Sequence, residues 1–220
     1  MSVSSVTNLD GERKPRRLPA RELDATELRV LGSLMEKQLA TPEYYPLTLN
    51  ALVAACNQKS NRDPVMELNE DDVQRALDRL QEEKLVWKVM GGRAVRWEHN
   101  LDATLQLDRP SKAVLTLLFL RGAQTAGELR ARSDRLYSFE SIAEIEETLR
   151  RLDPLVRELS RRPGQKESRW TQILSGVPPS SAALAAEDSS PSTEERLQRL
   201  EEQVATLAEE LRIFKAKLGE

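Results

Sequence analysis

Four basic residues, Arg161, Arg162, Lys166 and Arg169, fall within nine positions, with only Glu167 opposing them. They surround Pro163–Gly164, a turn dipeptide. Guanidinium and ammonium groups crowded on a hairpin tip can grip phosphates, as point charges and through bidentate guanidinium contacts. Arg93 and Arg96 follow Gly91–Gly92 in a smaller version of the same pattern. Two readings stand for these tips: a phosphate-gripping wing, or a solvated hairpin whose charges face water.

The residue types needed for catalysis are scarce. The chain has one cysteine and one histidine. A zinc site wants roughly four such ligands, so no metal and no cofactor are expected. Cys56 closes an apolar stripe with Leu49, Leu52 and Val53, and is expected in the core. His99 has no recognisable nucleophile beside it and is expected to be partly exposed at a strand end. Asp71–Asp72 and Glu146–Glu147 read as solvated helix acids, and neither standard Gly-rich phosphate loop is present. The expectation is a non-enzymatic protein.

Residues 57–68 form a long connection for a small domain, and such loops are often functional. Asn57, Gln58, Lys59, Asn61, Arg62 and Asp63 are its candidate interaction residues. The alternative is a self-packed loop with Val65, Met66 and Leu68 tucked beneath it.

These residues need elements to position them. Asp24 can cap a helix, with Glu27 completing a capping box. Leu28, Leu31, Leu34, Met35 and Leu39 give that helix an apolar face. Thr48 can cap a second helix and Asn69 a third, whose buried stripe is Val73, Ala76, Leu77 and Leu80. Strands over 85–89 and 94–98 then close a hairpin at Gly91–Gly92. The pattern recurs. A helix runs over 109–120, Thr125 with Glu128 boxes a second, and Ser138 or Ser141 opens a third, with Ile142, Ile145, Leu149 and Leu152 buried. Strands over 155–160 and 168–174 follow. The expected fold is mainly α with small β-hairpins (α+β): two tandem winged-helix modules, 23–100 and 101–175, then a C-terminal coiled-coil helix.

Three further segments complete the chain. Residues 1–22 are polar and basic and are expected to be disordered, either as a solvated tail or as a phosphate-contacting arm. Residues 176–192, rich in Ser, Pro and Ala, read as a flexible linker. In 193–220, Leu197, Leu200, Val204, Leu207, Leu211, Phe214 and Leu218 make an unbroken heptad seam. Arg196 with Glu201 and Glu210 with Lys215 are opposite-charge pairs that suit a parallel homodimer. The alternative is a helix that folds back onto its own modules.

Charge distribution limits what the modules can bind. The net charge is −3, which argues against an overall electrostatic grip on nucleic acid. Residues 23–100 carry 10 Lys/Arg against 13 Asp/Glu, and residues 101–175 carry 13 against 11. Aromatic residues are only 4% of the chain, too few for a base-stacking platform. The third helices are acidic where a groove-reading helix should offer Arg, Lys, Asn or Gln. Glu70, Asp71 and Asp72 open the first, and Glu140, Glu144, Glu146 and Glu147 mark the second. The longest apolar run, 113–120, is far short of the ~20 residues that span a membrane. A lone cysteine suits a reducing, cytoplasmic setting.

Several segments resemble the YceH family of bacterial proteins. They are Leu-Met-Glu-Lys-Gln at 34–38, Thr-Pro-Glu-x-Tyr-Pro-Leu at 41–47 and Ala-Cys-Asn-Gln-Lys-Ser-Asn-Arg-Asp-Pro-Val-Met at 55–66. Leu-Arg-Gly-Ala-Gln-Thr-x-Gly-Glu-Leu-Arg-x-Arg at 120–132 and Pro-Gly-x-Lys-Glu-Ser-Arg at 163–169 complete the set. The resemblance covers about residues 23–218 and implies a tandem winged-helix fold. It implies no activity and no site residues, and the basic extension at 1–22 departs from the family pattern. Two functions follow as expectations: a dimeric DNA-associated regulator gripping duplex phosphates through its wings, or a scaffold meeting an unknown protein through acidic third helices and the 57–68 loop.

Overall fold

The computed structural model describes residues 16–90, 94–161 and 167–176, all within the unit spanning 1–178. Helix α1 (Ala25–Ala40) is followed by a 3₁₀ turn (Pro42–Tyr44), strand β1 (Leu47–Thr48), α2 (Leu49–Cys56) and α3 (Glu70–Glu82). Strands β2 (Val86–Met90) and β3 (Val95–His99) then pair antiparallel, and β1 joins the other edge of β3, giving the sheet order β1-β3-β2. Short α4 (Leu101–Leu105) leads to α5 (Arg109–Arg121), α6 (Ala126–Ser133), α7 (Ile142–Arg151) and the hairpin β4 (Val156–Leu159)–β5 (Arg169–Gln172). A single bridge between Gln124 and Trp170 occupies the place before α6 that β1 takes before α2. The result is a mixed α+β fold with winged-helix-like order.

Local chemistry starts each long helix. Asp24, Asn69 and Thr125 each accept from the backbone N–H three residues on, and Glu27, Asp72 and Glu128 reach back to complete capping boxes. Thr48, Asp108 and Ser141 cap α2, α5 and α7 in the simpler way. Ser141, not Ser138, opens α7. Helix α5 stops at Gly122, whose φ of +66° a residue with a Cβ rarely adopts.

Helices α1 and α5 organise the packing. Every residue from Glu27 to Glu36 is buried, as is every residue from Ser111 to Leu120. A helix buried on all sides has neighbours all round it. Helix α1 packs on α2, α3 and β3 on one side and most extensively on α5 on the other. Helix α5 in turn carries α6, α7 and β5. One core therefore runs from Leu31, Leu34, Leu52, Leu77 and Trp97 through to Leu115, Leu129, Ile145 and Leu149. Gly32 permits the close approach: a Cβ placed there would lie 2.9 Å from Leu120 Cγ and 3.0 Å from Phe119 Cβ.

The structure corrects three readings and adds two short elements. Ile142, expected in the core, is 49% exposed, because it lines an open groove with Ala126 and Trp170. Val65, expected beneath its loop, is 53% exposed, while Leu68 does pack on the core. Residues 16–22, expected in a disordered tail, are docked: Arg17 N–H donates to Thr104 O at 2.9 Å, and Ala20 N–H to Glu83 at 2.9 Å. Arg16 donates to the carbonyls of Leu105, Arg151 and Asp153. Strand β1 and helix α4 are additions, too short for any periodic pattern to announce. Gly91–Gly92, Arg93, Arg162, Lys166, the linker 176–192 beyond residue 176, and the heptad seam from Leu197 to Leu218 lie outside the described residues.

Gly32→Ala is expected to lower stability in urea unfolding. Helix propensity would gain about 0.5–1 kcal/mol. Forcing a methyl against atoms close to the α5 backbone costs about 1–3 kcal/mol, so the net loss is about 1 kcal/mol, and Gly32→Val loses more. An alanine variant more stable than the native chain would show that the approach of α1 and α5 is not limiting.

Candidate interaction surfaces

Cys56 and His99, the single cysteine and the single histidine of the chain, are both buried. Cys56 is fully buried, and burial pushes its thiol up to about 11, away from the thiolate form that nucleophilic chemistry needs. His99 is also buried, at 6% exposure, which corrects the expectation of a partly exposed strand end. Its Nδ1 accepts from Leu101 N–H at 3.3 Å, and its Nε2 lies 2.8 Å from Gln38 Oε1. A neutral imidazole with its proton on Nε2 satisfies both contacts. Burial, with Asp102 opposing and Lys112 assisting, lowers its pKa to about 4. Tyr45 Oη accepts the His99 backbone N–H at 2.7 Å, and burial raises the phenol above its ordinary value. Among the described residues no group of three or more His, Cys, Asp or Glu could hold a metal ion.

The loop 57–68 is held from within. Asn57 Nδ2 donates to Leu68 O at 2.7 Å, and Asn57 Oδ1 accepts Leu68 N–H at 2.8 Å, which ties the two ends of the loop together. Arg62 is buried; its guanidinium meets both Glu36 oxygens, at 3.1 and 2.6 Å, and also donates to Ala55 O and Gln58 Oε1. Burial is the largest single influence and raises the Glu36 carboxyl, but the hydrogen bonds and charges of Arg62 and Lys37 together hold the pKa below the ordinary value. Asp63 N–H donates to Leu120 O at 2.9 Å, fastening the loop to α5. Of the six candidate interaction residues, Arg62 is a buried brace and Asn57 a loop clasp. Lys59, Asn61 and Asp63 are exposed, and Gln58 is half-buried.

The wings split in the same way. Arg169 opens β5 but donates to Ala123 O at 2.8 Å and pairs with Glu128 at 3.0 and 3.1 Å. Glu128 would be raised by burial, yet the Thr125 N–H and Arg169 hold its carboxyl below the ordinary value. Arg96 donates to Pro46 O at 2.8 Å. Arg161 is exposed and makes no ion pair among the described residues. Arg93, Arg162 and Lys166 lie outside those residues. The first hairpin instead carries exposed apolar side chains near its tip, Met90 (82%) and Val95, with Trp87 farther back. The signal was in the sequence: a period-2 strand that runs out past the core must carry its apolar residues into water.

The third helices keep their acids and spend their bases. On α3, Arg75 pairs with Asp72 at 2.5 Å, Arg79 with Asp24 at 2.5 Å and Glu27 at 3.3 Å, and Gln74 donates to Asp78 at 2.7 Å. Glu70, Asp71 and Glu82 are left facing water. On α7, Arg150 pairs with Glu147 while Glu146 is exposed without an ion pair among the described residues. A groove of about 560 Å³ lies between α7 and the β4–β5 hairpin. Ile142 and Trp170 give it an apolar face, and among the described residues Glu146, Glu158 and Glu167 outnumber Arg150 and Arg161 along its walls.

A protein family described as of unknown function, DUF480, matches residues 23–165. A UPF0502 protein of Geobacter metallireducens is 50% identical over 196 residues, covering 86% of this chain and 88% of that one. A UPF0502 protein of Chromobacterium violaceum is 46% identical over 192 residues, covering 84% and 87%. The chain belongs to this family of uncharacterised bacterial proteins, which agrees with the bacterial family resemblance read from its segments. No helix among the described residues is long and apolar enough to cross a membrane.

Two stability outcomes follow. A histidine with a folded pKa near 4 and an unfolded value of about 6.5 binds more protons when unfolded. Its contribution is therefore complete above pH ~6.5 and is lost as the pH falls toward 4, by about 3 kcal/mol in all. His99→Gln should flatten the dependence of the urea midpoint between pH 5 and 6.5; an unchanged slope would contradict the buried neutral imidazole. Arg62→Ala should cost about 3–5 kcal/mol by stranding Glu36, and Glu36→Leu with Arg62→Met should cost less than Arg62→Ala alone. A cost below 1 kcal/mol for Arg62→Ala would remove the brace.

Proposed function

We propose that this DUF480 chain is a non-enzymatic binding protein of two winged-helix modules whose third helices meet a protein partner with a basic surface, not DNA. One observation carries the reading: the arginines of α3 are consumed by Asp24, Glu27 and Asp72, while the acids at the exposed end of the same helix face solvent. A recognition helix of that charge would bring carboxylates toward phosphates. Exposed Ile142 beside Trp170, rimmed by glutamates, suits an anchoring apolar side chain on a cationic segment. The heptad seam 197–218 supports a homodimer, which would double either kind of contact. A reducing, cytoplasmic setting fits the buried single thiol.

One observation favours the other reading. Arg161 is exposed and free of ion pairs among the described residues, and Arg162 and Lys166 follow it in sequence. Wing tips alone would then grip duplex phosphates, with the acidic helices held away.

Fluorescence anisotropy with a labelled random duplex, at about 50 and 150 mM salt, separates the two. The expected result is no saturable binding at either salt. Binding that falls steeply with salt and disappears in Arg161→Glu with Arg162→Glu would overturn the protein reading. In cells, a photo-crosslinker at exposed Ala143 should give a discrete protein adduct that is lost in Glu146→Lys with Glu147→Lys.

A further inference from the structure

A second cavity, of about 760 Å³, opens between the 57–61 stretch and α6, away from both third helices. Its charged lining is one-sided. Lys37 from α1, Lys59 from the loop, Arg132 from α6 and Arg135 just beyond it all line it, against one carboxylate among the described residues, Glu36. That carboxylate is already taken by Arg62 from behind, at 2.6 Å, and by Lys37 at 3.3 Å.

The balance can be drawn more finely. Lys37 and Arg132 sit in the last turns of α1 and α6, where each offsets a helix C-terminus worth roughly −0.5 charge. Arg132 is also held in place by Gln124 Oε1 at 2.7 Å and lies 3.9 Å from Glu128. Lys59 and Arg135 have no such duty: both are exposed and neither makes an ion pair among the described residues. Two full cations on opposite walls are therefore in excess, within a chain whose net charge is −3.

The uncharged lining agrees with this. Gln58 spends its oxygen on Arg62 and Asn61 spends its oxygen on Arg121, at 3.1 and 3.4 Å, which leaves amide N–H groups on both. Ser60 adds a hydroxyl. Leu117 and Leu136 form an apolar floor. Donors and cations above an apolar floor select an anion with a compact apolar body. A monoanionic carboxylate would leave one of the two excess cations unmatched, whereas a phosphate monoester dianion matches both.

We propose that this cavity binds a small organic phosphate, held between the 57–61 stretch and α6. The site is independent of whether the third helices meet protein or DNA.

The test uses the full chain and 1-naphthyl phosphate as the probe, followed by isothermal titration calorimetry. Naphthol, 1-naphthoate and inorganic phosphate are run in parallel to separate the apolar, monoanionic and bare-anion contributions. Naphthyl phosphate should bind most tightly, at one site per chain, and more weakly as ionic strength rises. Lys59→Glu with Arg135→Glu removes no described ion pair and should weaken binding at least tenfold while leaving the urea midpoint unchanged; Lys59→Gln with Arg135→Gln should fall between. Equal affinity for naphthol and naphthyl phosphate would overturn the proposal. So would salt-independent binding by the native chain, or its absence at millimolar probe.

Discussion

Gly32 lets α1 and α5 approach until the side chains of Phe119 and Leu120 fill the space where its own side chain would be. Almost everything else follows from that contact. Each helix is the first of its own three-helix group, and each would have one solvated face if its group stood alone. Packed together they have none, which is why ten consecutive residues are buried on each. Dispersion and apolar burial at such a seam scale with closeness, so a small residue at the crossing is worth more than its modest helix propensity suggests. The two groups consequently share a core.

Burying α1 on all sides takes its polar residues out of water, and the fold has to satisfy them. Glu27 is met by Arg21, the Asp24 N–H and Arg79; Arg29 donates to the carbonyls of Cys56 and Pro64; Glu36 is met by Arg62. An unpaired charge at any of these positions would cost several kcal/mol. The long loop 57–68 is therefore largely a consequence of α1. Its Pro64 carbonyl accepts from Arg29 and its Arg62 guanidinium pairs with Glu36, and α5 fastens it again through Asp63 and Leu120. Arg62 is buried in that brace, and Lys59, Asn61 and Asp63 are left on the exposed edge of the loop.

What could be read from the sequence divides along the same line. The caps Asp24, Thr48, Asn69 and Thr125 were legible because the hydrogen bond they make closes within three residues. The apolar stripes of α2 and α3 and the two hairpins were legible because they are periodic. His99, Arg62 and Gly32 were not, because what decides each is a partner at least 26 positions away in sequence: Gln38 for the imidazole, Glu36 for the guanidinium, Leu120 for the missing side chain. Ile142 fits the stripe of α7 by period yet lines an open groove, since period gives a face and only packing says what covers it. Basic residues misled most. A count of arginines near a hairpin cannot distinguish Arg161, which is exposed and unpaired among the described residues, from Arg169, which is tied to Glu128 and Ala123.

That distinction bears on function more than the fold does, since winged-helix-like order serves both nucleic-acid and protein recognition. Charge available to a partner is what remains after internal pairs are formed. Helix α3 carries two arginines, and both are paired with acids, one on α3 itself and two at the start of α1, so the surface it offers is more acidic than its composition implies. Across the 57–61 stretch and α6 the reverse holds: Glu36 is consumed from behind by Arg62, so the cavity is more basic than its lining suggests. The same buried guanidinium that braces the loop thus sets the sign of the cavity beside it. Structural ion pairs on α1 divide the surface into an acidic helix face and a basic cleft, each suited to a different kind of partner.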